Sequence, residues 1–68
     1  MTILETIKIK NMLDDLVNAK EIGLKEFKFH IEKLGYLIHK LEVQTSSVHN
    51  DARLIVKDIN NKYYTIGV

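Results

Sequence analysis

Sixty-eight residues with 46% apolar, 28% charged and 7% aromatic side chains have the composition of one small folded domain, not of a disordered tail. Cysteine, proline and tryptophan are absent, which excludes a disulfide scaffold, a thiolate zinc site and a proline-rich chain. Ten Lys/Arg against nine Asp/Glu leave a net charge of +1, too balanced to advertise a nucleic-acid or membrane partner. No apolar run approaches the ~18 residues of a membrane span. Nor does the chain open with a basic stretch and an apolar one, as a secretion signal would. The expectation is a cytoplasmic protein of a bacterial cell or its phage, with no membrane partner.

The first predicted element is a helix over 2–20. Ile3, Ile7, Ile9, Met12, Leu13, Leu16 and Val17 fall mostly on one wide face at about 100° per residue. Thr2 and Glu5 have the spacing of a capping box. Residues 6–10 also alternate like a strand, and length decides for helix. Gly23 is placed where a helix C-terminus or a turn belongs.

Leu24, Phe27, Ile31, Leu34, Ile38 and Leu41 repeat at alternating intervals of three and four. A regular strand cannot put that spacing on one side, so the pattern predicts a long amphipathic helix over 24–43. Gly35 beside the seam weakens it by about 1 kcal/mol relative to alanine, and marks either a close neighbour or a break. Phe29, Tyr36 and Val43 form a second stripe, extended by Ile22 and flanked by Lys25, Lys33 and Lys40. That stripe reads as the other side of a two-sided core or as a seam for a partner, with aromatic anchors in a basic rim. A stacking surface for single-stranded nucleic acid is the third reading.

Residues 44–51 read as a polar loop. β-Branched and aromatic residues on both sides of Asn60-Asn61 predict an antiparallel β-hairpin over 52–68. A loop with Asn61 or Lys62 left-handed puts Leu54, Val56, Tyr64, Ile66 and Val68 on one face, the register that makes a coherent core side. The other face carries Ile55, Ile59, Tyr63 and Thr65 around Lys57, and Tyr63 is its natural anchor. Two strands alone are marginal, so a third from a symmetry mate or partner is expected to help. The fold class is therefore α+β, a single domain over 1–68: two helices, the second long, then a hairpin.

Chemistry is hard to find. His30, His39 and His49 have no metal-ligand spacing. Asp14, Asp15, Asp51 and Asp58 form no recognisable acid–base pair. Thr45, Ser46 and Ser47 near His49 are loop neighbours, not a triad. Gly23, Gly35 and Gly67 are too scattered to cradle phosphate. No catalytic residue, cofactor or metal is expected.

Residues 51–68 contain Asp51-Ala52, Leu54, Val56, Asp58, Tyr63-Tyr64, Ile66 and Val68. This ending resembles that of small phage and prophage proteins, a helix followed by D-A-x-L-x-V-x-D-x-x-x-x-Y-Y-x-I-x-V. The turn glycine usual there is replaced by Asn60-Asn61. The resemblance implies origin in a mobile element and a role in binding and blocking a host protein, defence enzymes included. It carries over no site residues.

The function expected is a non-enzymatic protein-binding module, a phage-type inhibitor or regulator of a host protein that acts by occlusion. Because a core this small supplies only ~3–5 kcal/mol, a homodimer is expected. Its partner or dimer interface is expected at Phe29, Tyr36, Val43, Lys33, Lys40, Ile55 and Tyr63. The alternative is a winged-helix-like DNA binder, with a recognition helix from Tyr36 onward and the hairpin as wing. A third option is an assembly accessory that folds on its partner.

Overall fold

The computed structural model describes residues 1–68. Helix α1 (Ile3–Asp14) runs on through a wider π turn (Asp15–Ala19), and α2 spans Leu24–Lys33. Strands β1 (Leu37–Thr45), β2 (Asn50–Lys57) and β3 (Tyr63–Gly67) follow, antiparallel, in the order β1-β2-β3. The α+β class is as expected; the length of α2 and the number of strands are not.

The capping box closes the start of α1. The Glu5 N–H donates to Thr2 Oγ1 at 3.1 Å, and the Thr2 N–H donates to Glu5 Oε1 at 2.9 Å. Ile9, Leu13 and Val17, each four residues apart, are buried against the sheet, whereas Ile3 and Ile7 point outward and are exposed. The buried stripe is thus narrower than the apolar content suggests. Lys20, left-handed at φ 56°, ends the helical run, and Gly23 lies in the turn between the helices as the N-cap of α2, the second of the two places expected for it.

The predicted long helix over 24–43 stops at Lys33. Gly35 takes φ +97°, a conformation that costs a side-chain-bearing residue about 1–2 kcal/mol. The Gly35 N–H then bonds the Glu32 carbonyl at 3.0 Å, and the Tyr36 N–H bonds the Ile31 carbonyl at 3.2 Å. That pair is a Schellman cap, accompanied by burial of both Tyr36 and Ile31. Gly35 is a stop, not a site of close approach, since nothing lies within 4 Å of where its Cβ would be.

The heptad spacing survives the break for a physical reason. In β1, Ile38 pairs with Val56 and Leu41 with Leu54, with an irregularity between Ile38 and Lys40. This bulge at His39 adds one residue, so positions three apart land on the same side of a strand. Ile38 and Leu41 both pack on the core. A bulged strand has imitated the last two positions of a helical seam.

The two-stranded hairpin is therefore a three-stranded sheet, and its third strand is β1 of the same chain, not a symmetry mate's. The polar loop shrinks to 46–49, because Gln44 pairs with Asp51 and Thr45 with Asn50. Between β2 and β3 the expected register holds, with Leu54 opposite Ile66 and Val56 opposite Tyr64. Asn61 is left-handed at φ 62°. Asp58 Oδ1 organises this turn by accepting from the Asn60 N–H at 2.8 Å and the Lys62 N–H at 3.0 Å.

The helices cover one face of the sheet. Phe27, Ile9, Leu13, Ile31, Leu54 and Val56 are completely enclosed between the layers, each contributing about 1.5–3 kcal/mol of burial. Two polar clusters pin the layers together. At one end the Tyr36 hydroxyl donates to Glu5 Oε1 at 3.1 Å, and its ring meets Tyr64 edge-on at 6.1 Å. Tyr64 accepts from the Met1 ammonium at 3.1 Å and donates to Asp58 Oδ2 at 3.3 Å. At the other end Asn18 Nδ2 donates to the Asn50 carbonyl at 3.0 Å and Asn18 Oδ1 accepts from the Asn50 N–H. No helix is long and apolar enough to cross a membrane.

Candidate binding surfaces

The sequence-predicted interface residues do not form one patch. Tyr36 is 7% exposed and belongs to the core. Val43 lies opposite Ala52 in the ladder, hence on the helix-covered side of the sheet, and is half exposed at its far end. The stripe Phe29–Tyr36–Val43 required one continuous helix; the cap at Gly35 puts its members on α2, in the core and on β1. The remaining five divide between two surfaces, Phe29 with Lys33 on the helix layer and Lys40, Ile55 and Tyr63 on the open face of the sheet.

Alternation along the strands builds the open face. Directly opposed residues share a side, so each ladder row can be read across. Leu37, Lys57 and Tyr63 form one row; Lys40, Ile55 and Thr65 form the next; then come Glu42, Arg53 and Gly67, and finally Gln44 and Asp51. The His39 ring meets the Tyr63 ring edge-on with centroids 4.9 Å apart, so β1 and β3 reach each other above β2. Ile55 is half buried, while Leu37 and Tyr63 are about half exposed. Lys40 Nζ stands 3.0 Å from Glu42 Oε1 and holds that carboxyl below its ordinary range. Ile59, grouped with this face from the sequence, is in the β2–β3 turn and 87% exposed. The gap above Gly67 contributes to a shallow depression of about 350 Å³ among Glu42, Gln44, Asp51, Arg53 and Thr65.

On the helix layer, Phe29 meets His30 edge-on at 5.7 Å, and Lys33 Nζ is 5.8 Å from the Phe29 ring centroid. Beside them lies a groove of about 350 Å³ between α1 and the C-terminal half of α2, lined by Lys8, Asn11, Met12, His30, Lys33 and Leu34. None of the α1 members was singled out as an interface residue from the sequence. Their signal depends on which neighbour α1 packs against, and no helical periodicity carries that. His39 and Leu37 were hidden by the assignment of 37–43 to a helix.

The Ser46 hydroxyl is spent on the His49 carbonyl and the His49 imidazole faces Asp51 at 3.1 Å, so hydroxyl and imidazole are not in line with each other. No three His, Asp or Glu side chains converge as metal ligands. The segment from Tyr36 onward, the recognition helix of the DNA-binding alternative, is the end of the α2 cap followed by strand β1 from Leu37. The chain matches no family model, no curated protein and no solved structure, so its functional reading rests on this geometry.

Proposed function

We propose that the chain is a non-enzymatic protein-binding module that docks through the open face of its sheet, with Tyr63 and Ile55 at the centre and Lys40 on the rim. The observation that carries this is the His39–Tyr63 pair joining β1 to β3 on the side without helices, one ladder row from the half-buried Ile55. A rigid aromatic on a flat strand platform supplies contact area at little cost in entropy, which is why tyrosine dominates binding energy at interfaces. Both charge signs are interspersed there, Lys40, Arg53 and Lys57 with Glu42 and Asp51. That mixture suits a protein surface, where pairs can be matched, better than a polyanion, which Glu42 and Asp51 would repel. Binding would act by occlusion, the mode the phage-like ending at 51–68 implies for an inhibitor or regulator of a host protein.

Affinity capture from nuclease-treated bacterial lysate, with tagged wild type and Tyr63→Glu side by side, tests the proposal. The expected result is a stoichiometric protein partner that wild type retains and Tyr63→Glu loses, with equal circular dichroism for the two. The same partner held equally by both variants would overturn the assignment of the face. Enrichment of nucleic acid alone, in a capture without nuclease, would overturn the protein-binding reading.

A further inference from the structure

We propose that the groove between α1 and α2 is a second docking site, and that its occupant is an acidic amphipathic helix of a partner protein. Met12 and Leu34 form its floor, both half buried and packed on the core. Lys8 on α1 and His30 and Lys33 on α2 form its walls, with Asn11 between them. One carboxylate is paired with the lining, Glu26 at 3.7 Å from His30 Nε2, and both lysines lack an anionic partner within 4 Å. Leu4 and Ile7, one turn toward the N-terminus from Lys8 and Asn11, are 62% and 50% exposed. Phe29, beside His30, is 61% exposed. The groove is therefore an aliphatic trough with apolar shoulders and a cationic rim.

That combination selects among occupants. A helix that lays an apolar face into a trough between two helices needs shoulder contacts spaced by a turn, which Leu4, Ile7 and Phe29 supply. The unpaired lysines ask that its flanks carry Asp or Glu. A second copy of this chain is disfavoured, because a two-fold pairing over the groove sets Lys8 and Lys33 against the same residues of the mate. A nucleic acid would use the lysines and leave the aliphatic floor and shoulders without a role. The inference goes beyond the open sheet face and does not depend on it, since the two surfaces lie on opposite sides of the molecule.

The test is selection from a displayed library of helical peptides against wild type, the Lys8→Glu/Lys33→Glu variant and Tyr63→Glu, followed by fluorescence anisotropy with the enriched peptide. Both lysines are exposed, so the double variant is expected to keep its fold and melting temperature. Enriched sequences should carry Leu or Phe at helical spacing with Asp or Glu on the flanks. The double variant should lose at least about tenfold in affinity, and Tyr63→Glu should bind like wild type. Enrichment of peptides without acidic residues, no enrichment, or equal binding by the double variant would overturn the proposal. Loss of peptide binding in Tyr63→Glu alone would also overturn it, by placing the peptides on the sheet. Displacement of the peptide from the groove by a single-stranded oligonucleotide of the same charge, at equal affinity, would give the groove to nucleic acid instead.

Discussion

Strand β2 has two sides with opposite duties. Ala52, Leu54 and Val56 are buried beneath the helices, and Arg53, Ile55 and Lys57, one residue along in each case, face away from them. The same backbone thus supplies the centre of the core and the centre of the proposed docking face. The lesson is that in a domain this thin, stability and recognition are separated by a single position in sequence. Substitutions one residue apart should have unlike consequences.

The largest effect should come from the covered side. Leu54→Ala removes a completely buried side chain and should cost about 2–5 kcal/mol. A core of this size supplies only ~3–5 kcal/mol, so the variant should be largely unfolded in urea titrations where wild type is folded. Ile55→Thr, its neighbour, should shift the midpoint far less.

Next is the residue that turns the chain from helix to sheet. Gly35→Ala should cost about 1–2 kcal/mol, because φ +97° is strained for an L side chain. Space is not the obstacle, since nothing lies within 4 Å of the added Cβ. D-Alanine at position 35, installed by chemical synthesis, should therefore be neutral or stabilising by thermal melt. Equal destabilisation by both enantiomers would mean that the cap is not what ends α2.

The polar cluster that closes one end of the two layers sets the pH limits. Glu5 is held below its ordinary 4.5 chiefly by the Thr2 backbone N–H, and Asp58 below 3.8 chiefly by the Lys62 N–H. Their stabilisation is complete above the ordinary values and is lost as pH falls through the lower values of the folded chain. Tyr36 and Tyr64 are raised above 10.0, chiefly by removal from water and then by Glu5 or Asp58. Their contribution is present below pH 10.0 and is lost as pH rises through the folded values. Melting temperature should fall at both limits; Glu5→Gln with Asp58→Asn should flatten the acid side and, by removing the two carboxylates that help raise the tyrosines, lessen the alkaline fall as well.

The smallest stability change belongs to the open side. Tyr63→Ala should alter unfolding free energy by no more than about 0.5–1 kcal/mol while weakening partner binding at least tenfold. A large loss of stability in this variant would mean that the His39–Tyr63 pair is structural, and the contrast between the two sides would fail.

Much of this architecture could be read along the chain, and the rest was concealed for identifiable reasons. The Thr2/Glu5 box, the Asn61 turn and the alternation of Leu54, Val56 and Ile66 are local signals, and each appears where spacing places it. The end of α2 was also written locally, as a glycine followed by an apolar residue, but the seam through Ile38 and Leu41 argued against it. Only the bulge at His39 reconciles that seam with a strand, and a bulge depends on pairing with β2, which spacing within 37–45 does not reveal. Tyr63 and Ile55 were recognisable as an outward pair because their strand was. Leu37 and His39 became part of the same face only once β1 had been turned from helix to strand.

Hydroxyl-radical footprinting of the chain, free and in complex with the partner that it captures, tests the central assignment most directly. Tyr63, His39 and Leu37 are predicted to be oxidised in the free protein and protected in the complex, while the exposed Val48 in the β1–β2 loop stays reactive. Undiminished oxidation of Tyr63 and His39 in a saturated complex would contradict the account and return the open face of the sheet to plain solvent.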